Sequence, residues 1–278
     1  MSLIFRSTII FALALTAMAL SAAGQTITGE VKAPEKTVEK KDPKTQSKQP
    51  AQPVTGEQVA ESSIVVYGFP GGRTTLDQIR RTAIEHGKIT VTSPDGKKVD
   101  TANYQRWTLR GTSQSKEKIR LDQEFPTAKY ALVSNEDKVF GIFNESVFTP
   151  RDDAARAFQN QIAFSIDSLL RYKENESKIE LAAREKHMGV EYYVVDVIDK
   201  QNRKMRFYVS VRTFRVMMLE YDDEGIKYKR KYYNYNYAQG TLVPYRTVLY
   251  ANDKIVEETE IGTVTYGQKI DEALFSAG

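Results

Sequence analysis

The 278-residue chain contains no cysteine. That excludes a disulfide framework, a thiolate metal site, a cysteine nucleophile and an acylated lipobox cysteine, and leaves stability to the core alone. Histidine is nearly absent as well, with two in the whole chain, His86 and His187. Catalysis and metal binding that draw on imidazole clusters therefore have little to work with. No Gly-x-Ser-x-Gly elbow, Walker loop, Gly-x-Gly-x-x-Gly or His-Glu-x-x-His occurs, and the spacing around Asp222-Asp223-Glu224 lacks the alternating oxygen ligands of a calcium loop. We expect no metal and no cofactor, and no enzyme. Past residue 24 no apolar run reaches the roughly 20 residues that a spanning helix needs.

The apolar residues at the start of the chain have another reading. Arg6 provides a positive n-region, Ile9 to Leu20 an apolar h-region, and Ser21-Ala22-Ala23-Gly24 the small residues that a signal peptidase accepts. Residues 1–24 are expected to be a cleaved signal peptide, which makes the mature chain periplasmic or secreted. From 25 to 62 Lys, Glu, Gln, Thr and Pro dominate, with Pro34, Pro43, Pro50 and Pro53 among them, and six Lys balance six Asp plus Glu. So little apolar surface cannot offset chain entropy, so this stretch is expected to be a disordered tether. Balanced charge argues against a nucleic-acid-binding arm.

The folded part is expected over 63–278 as one domain, 41% of the whole chain being hydrophobic. Thr75-Leu76-Asp77-Gln78 has the form of a capping box, and Leu76, Ile79 and Ala83 share a helical face, which predicts a helix over 76–86 ending at Gly87 with His86 in its last turn. Ser93-Pro94-Asp95-Gly96 predicts a hairpin between 88–92 and 97–101, and strands are predicted at 104–110, 118–125, 129–134 and 138–143. Thr149, Pro150 and Asp152-Asp153 head an apolar stripe of Phe158, Ile162, Ile166, Leu169 and Leu170, predicting one helix over 150–172. Seven strands then follow near 178–186, 190–198, 204–211, 214–221, 227–237, 241–250 and 254–266, with polar turns between them. The fold class is α+β, mainly antiparallel β: a curved meander with covering helices, either an open half-barrel or a barrel around a cavity.

In the run Lys227-Tyr228-Lys229-Arg230-Lys231-Tyr232-Tyr233-Asn234-Tyr235-Asn236-Tyr237, strand parity puts Lys227, Lys229, Lys231, Tyr233, Tyr235 and Tyr237 on one face. Basic residues among aromatics suit single-stranded nucleic acid, but an exported chain would not meet it, so anionic headgroups or envelope polysaccharide are the functional candidates. The bland alternative is a solubilising sheet surface.

The run Tyr237-Ala238-Gln239-Gly240-Thr241-Leu242-Val243-Pro244-Tyr245-Arg246, the long strand ending Tyr266-Gly267-Gln268-Lys269-Ile270-Asp271, and Glu272-Ala273-Leu274-Phe275 resemble the closing portion of the lipoprotein-carrier superfamily, the LolA/LolB-like and outer-membrane lipoprotein-sorting proteins. The resemblance implies an unclosed antiparallel barrel lidded by helices, with an apolar cavity that receives an acyl lipid or a lipoprotein. With the stripe Phe207, Val209 and Val211 and the helix residues Phe158 and Ile162, it yields a lipid-lining set of Phe158, Ile162, Phe207, Val209 and Val211. The alternative is an envelope interaction or signalling protein that uses the same fold, with a protein partner and no carried lipid.

Overall fold

A computed structural model describes residues 53–276 apart from Pro94 and Asp137. The expected signal peptide and most of the expected tether lie outside the described residues. Thirteen strands form one antiparallel sheet in the order β6-β5-β4-β3-β2-β1-β13-β12-β11-β10-β9-β8-β7. They are β1 (Thr82–Thr92), β2 (Val99–Leu109), β3 (Lys118–Glu124), β4 (Lys129–Asn135), β5 (Lys138–Phe143), β6 (Ser146–Phe148), β7 (Lys178–His187), β8 (Val190–Ile198), β9 (Lys204–Ser210), β10 (Val216–Asp223), β11 (Ile226–Ala238), β12 (Thr241–Ala251) and β13 (Lys254–Tyr266). Two meanders are thus sewn together where β1 pairs with β13, the two edges stay unjoined, and the result is an open half-barrel.

Four helices lie on one face, called inner here: α1 (Gly56–Tyr67), α2 (Arg73–Ile79), α3 (Asp152–Ala163) and α4 (Ile166–Leu170). α1 begins inside the stretch expected to be tether, so 56–62 are helical. Its start is a capping box: Gln58 N–H donates to Thr55 Oγ1 at 3.2 Å and Thr55 N–H to Gln58 Oε1 at 3.0 Å. Val59, Ala60, Ile64 and Tyr67, each at most 1% exposed, form its buried stripe. They join Leu169 and Leu170 of α4, Val195 and Val197 of β8, and Phe207 and Val209 of β9 in the main core. Burial on this scale contributes about 1.5–3 kcal/mol for each large side chain.

The predicted helix over 76–86 is corrected twice. α2 starts earlier, at Arg73, and the chain is already in β1 at Thr82, because residues from there pair on both sides, with β2 and with β13. Gly87 is no helix stop but a strand residue at a bulge, where a Cβ would lie 2.1 Å from the Glu260 carbonyl oxygen. His86 is a strand residue paired with Gln105 and Thr263. The strand predicted at 104–110 is the continuation of β2 rather than a separate element.

The helix predicted over 150–172 is two helices. They part at Phe164 and Ser165, where the Phe164 ring leaves the helical line to stack on Tyr221, centroids 3.8 Å apart. Three carbonyls at the break accept from side chains: Gln114 Nε2 donates to Ile162, Ser168 Oγ to Ala163, and Arg230 Nη1 to Phe164 at 2.9 Å. Arg151, not Thr149, is the N-cap of α3. The stripe is divided accordingly: Phe158 packs with Ile89, Tyr104, Ile119 and Leu121 over the N-terminal strands, while Ile166, Leu169 and Leu170 enter the main core.

Candidate functional site

Alternation on the central strands decides what faces the helices. Glu85, Gly87 and Ile89 of β1 lie opposite Arg106, Tyr104 and Ala102 of β2, and Ile89, Tyr104 and Ala102 are packed under α3. Glu85 and Arg106 therefore point to the helix side too. Together with Glu257, Thr259 and Ile261 of β13, Arg230 and Tyr232 of β11, and Gln161 and Ile162 of α3, they line a chamber of about 260 Å³. Its wall includes seven ionisable side chains besides tyrosines: Arg80, Glu85, Arg106, Glu117, Asp167, Arg230 and Glu257. The cavity implied by the resemblance is apolar; this one is charged.

Part of the charge is tied into a buried network at one end. Arg171 Nη1 contacts Glu117, both nearly inaccessible, and its Nη2 donates to the Gly111 carbonyl at 2.6 Å. Arg110 Nη2 meets Asp167 Oδ2 at 3.0 Å, and Arg80 Nη1 lies 3.6 Å from Asp167 Oδ1. Burial pushes the Glu117 carboxyl up to about 7, with Asp167 nearby adding to the effect and Arg171 opposing it. Burial would raise Asp167 as well, but Arg110, Arg80 and Arg171 outweigh it and hold that carboxyl below its ordinary value.

The rest of the charge is not paired. Among the described residues, Arg106 and Arg230 have no carboxylate within 4.0 Å, and Glu85 and Glu257 have no cationic nitrogen within that distance. Each is held instead by a neutral group. Gln161 bridges two of them, its Oε1 accepting from Arg106 Nη2 at 2.8 Å and its Nε2 donating to Glu257 Oε2 at 2.9 Å. Glu85 Oε1 accepts the Tyr104 hydroxyl at 2.6 Å, and Arg230 donates to the Phe164 carbonyl. Burial and the Glu85 carboxylate raise the Tyr104 pKa, which keeps the hydroxyl a donor.

Of the five residues expected to line a lipid site, Ile162 alone lines this chamber. Phe158 is 2% exposed in the N-terminal cluster, and Phe207 and Val209 are inaccessible in the main core. Val211 lies past the end of β9 in a turn, half-buried, its N–H donating to the Glu191 carbonyl at 3.0 Å. The structure does not bring the five together.

The remaining sequence candidates have structural partners. Asp222 Oδ1 accepts from Gly225 N–H at 3.0 Å, Asp223 Oδ2 from Asn160 Nδ2 at 2.8 Å, and Glu224 pairs with Arg156. His187 Nε2 is 2.7 Å from Glu185 Oε2. On β11, Lys229 reaches Glu220 and Asp253 at 3.6 and 3.3 Å, Lys231 sits over the Tyr250 ring, and the Tyr233 ring carries Arg246 of β12. The expected face assignment fails at Tyr235: Asn234 takes a left-handed φ of 52°, and beyond it Tyr235 turns inward to Tyr67 and Val216.

No protein-family model matches the sequence, and no curated protein is significantly similar to it. Solved structures do match. A LolA superfamily protein from Nitrosomonas europaea superposes with a TM-score of 0.56 at 14% identity, over 81% of this chain and 98% of that one. The fold is LolA-like. An outer membrane lipoprotein-sorting protein domain from Vibrio parahaemolyticus gives a TM-score of 0.50 at 14% identity, covering 78% of this chain and 97% of its own. A DUF1329 family protein from Desulfovibrio piger gives 0.58 at 13%, covering 80% and 97%. At such identities the likeness concerns the LolA-like architecture, and what fills it is this chain's own.

Proposed function

We propose that this chain is an exported, non-enzymatic binding module of the cell envelope, built on the LolA-like half-barrel. Export rests on the n-region, h-region and small-residue site of residues 1–24. Of the two tasks weighed for this fold, carrying an acyl lipid or lipoprotein and engaging envelope components without a carried lipid, the geometry favours the second. The observation that carries this reading is the chamber wall. An acyl chain laid along it would strip water from the half-buried Arg106, Glu85 and Glu257 without replacing their lost hydrogen bonds, at a cost of several kcal/mol per charge.

The carrier reading draws on the fold likeness and would need Phe158, Ile162, Phe207, Val209 and Val211 to open a common apolar pocket. Phe158, Phe207 and Val209 would have to leave their present core packing to do so.

The experiment is organic extraction of the protein purified from its native envelope fraction, with its N-terminus sequenced. The module reading expects an N-terminus at Gly24 or Gln25 and no stoichiometric lipid. Full-length chain confined to the cytoplasm, or one acyl lipid per chain, would overturn it.

A further inference from the structure

Two guanidinium groups and two carboxylates share the wall of one chamber, and no ion pair joins any of them. Arg230 is buried and Glu85, Arg106 and Glu257 are half-buried, and a charge that has given up part of its hydration is ordinarily closed on by a neighbouring opposite charge. Here the opposite charges are neighbours and do not close: Glu85 and Arg106 are directly cross-strand on β1 and β2, yet the first binds the Tyr104 hydroxyl and the second the Gln161 amide. Gln161 also holds Glu257, so one neutral side chain keeps a cation and an anion apart and facing the same space. Across the chamber Arg230, 7% exposed, spends one nitrogen on the Phe164 carbonyl. The buried Tyr232 hydroxyl and Arg80 Nε, both on residues of the same wall, have no hydrogen-bond partner.

We propose that this chamber binds a small zwitterionic group, its phosphate or carboxylate received by Arg106 and its ammonium by Glu257, the two charges that Gln161 bridges. The proposal rests on the binding-module reading and assigns that module a ligand class. Size agrees with the assignment. About 260 Å³ lies just below the ~300–1,000 Å³ of pockets for drug-sized molecules. Wall chemistry agrees as well, since guanidinium matches phosphate or carboxylate with directed, charge-assisted hydrogen bonds and a carboxylate accepts from ammonium. The same chemistry can come from the head of an ethanolamine phospholipid or from a free amino-carboxylate, and the two are separable.

Isothermal titration of the full mature chain tests it with sn-glycero-3-phosphoethanolamine, the dipeptide alanyl-alanine, glycerol 3-phosphate and ethanolamine. One zwitterion should bind at one site per chain, at least tenfold more tightly than either singly charged fragment. If it is glycerophosphoethanolamine, phosphatidylethanolamine vesicles should retain the protein in flotation and phosphatidylglycerol vesicles should not; if it is the dipeptide, neither vesicle should. Arg106→Gln and Glu257→Gln should each weaken binding on the order of ten- to a hundredfold, as loss of a hydrogen bond to a charged group does. Arg106→Gln should also abolish the residual affinity for glycerol 3-phosphate, and Glu257→Gln that for ethanolamine. Because the selectivity series uses the wild type, it stands even if a variant fails to fold. Binding of neither zwitterion, equal binding of glycerol 3-phosphate alone, or well-folded variants that bind as the wild type does would overturn the proposal. Stoichiometric acyl lipid in the extract sinks the parent reading, whereas absent lipid with absent zwitterion binding sinks the chamber assignment alone.

Discussion

The hydroxyls of Tyr67 on α1 and Tyr235 on β11 meet at 2.9 Å, their rings edge to face with centroids 6.1 Å apart. Tyr67 also accepts the Val216 N–H at 3.3 Å, while Tyr235 donates to the Val216 carbonyl. One pair of side chains thus satisfies the backbone at the start of β10 and fastens the first helix to the C-terminal meander. Burial pushes the Tyr67 hydroxyl up to about 12, so it stays protonated through the neutral range. Tyr67→Phe leaves the buried Val216 N–H without its acceptor and should lower stability by about 1–3 kcal/mol in urea unfolding. An unchanged midpoint would mean that α1 is held by its apolar stripe alone.

The seam between the two meanders gives a sharper contrast. At Gly87 a Cβ would meet the Glu260 carbonyl oxygen at 2.1 Å and the Tyr104 ring at 2.8 Å, neither free to move, whereas at Gly262 the nearest atom, the His86 oxygen, is 3.5 Å away. Gly87→Ala should therefore destabilise by about 1–3 kcal/mol or more, as overpacking does, and Gly262→Ala by much less. Chemical denaturation of the two variants side by side checks the order, and equal effects would contradict the seam as described.

Glu117 sets a dependence on pH. Its folded pKa, about 7, lies above the ordinary 4.5, so the native state holds its proton more tightly than the unfolded chain does. The contribution therefore favours folding as pH falls from about 7 towards 4.5 and is lost as pH rises through 7, a swing of roughly 3 kcal/mol. Asp167, with its lowered pKa, works oppositely and costs stability only below about 4. Glu117→Gln should flatten the slope of unfolding free energy between pH 5 and 8. A wild type whose stability rises steadily over that interval would contradict the sign.

Phe207 is inaccessible and Phe158 nearly so, in separate clusters. Phe207→Asp and Phe158→Asp should each chiefly unfold the protein, since a carboxylate at either place has no partner. A native thermal transition in either variant, measured by circular dichroism, would reveal a pocket wall where the structure has core.

Much of the fold was readable because its determinants are local. The seven C-terminal strands appear within two residues of their expected bounds, since turns such as Glu224-Gly225, Gln239-Gly240 and Asn252-Asp253 adopt positive φ at both positions, as tight hairpins require. The resemblance drawn from the glycine-then-proline entry to β12 led to the right architecture. What stayed hidden is of two kinds. α1 begins in a stretch dominated by polar residues, where the Thr55 to Gln58 capping box and the spacing of Val59, Ala60, Ile64 and Tyr67 were its signals. The chamber depends on register between distant strands: Glu85 and Glu257 reach one wall only because β1 pairs with β13, and nothing local in either strand announces that partner.

Titration of the wild-type mature chain with a fluorescent long-chain fatty acid tests most directly whether the half-barrel interior is a charged chamber rather than an acyl pocket. The account predicts no saturable binding below the concentration at which the probe self-associates. Tight one-to-one binding, abolished by Ile162→Asp with the thermal midpoint unchanged, would contradict it.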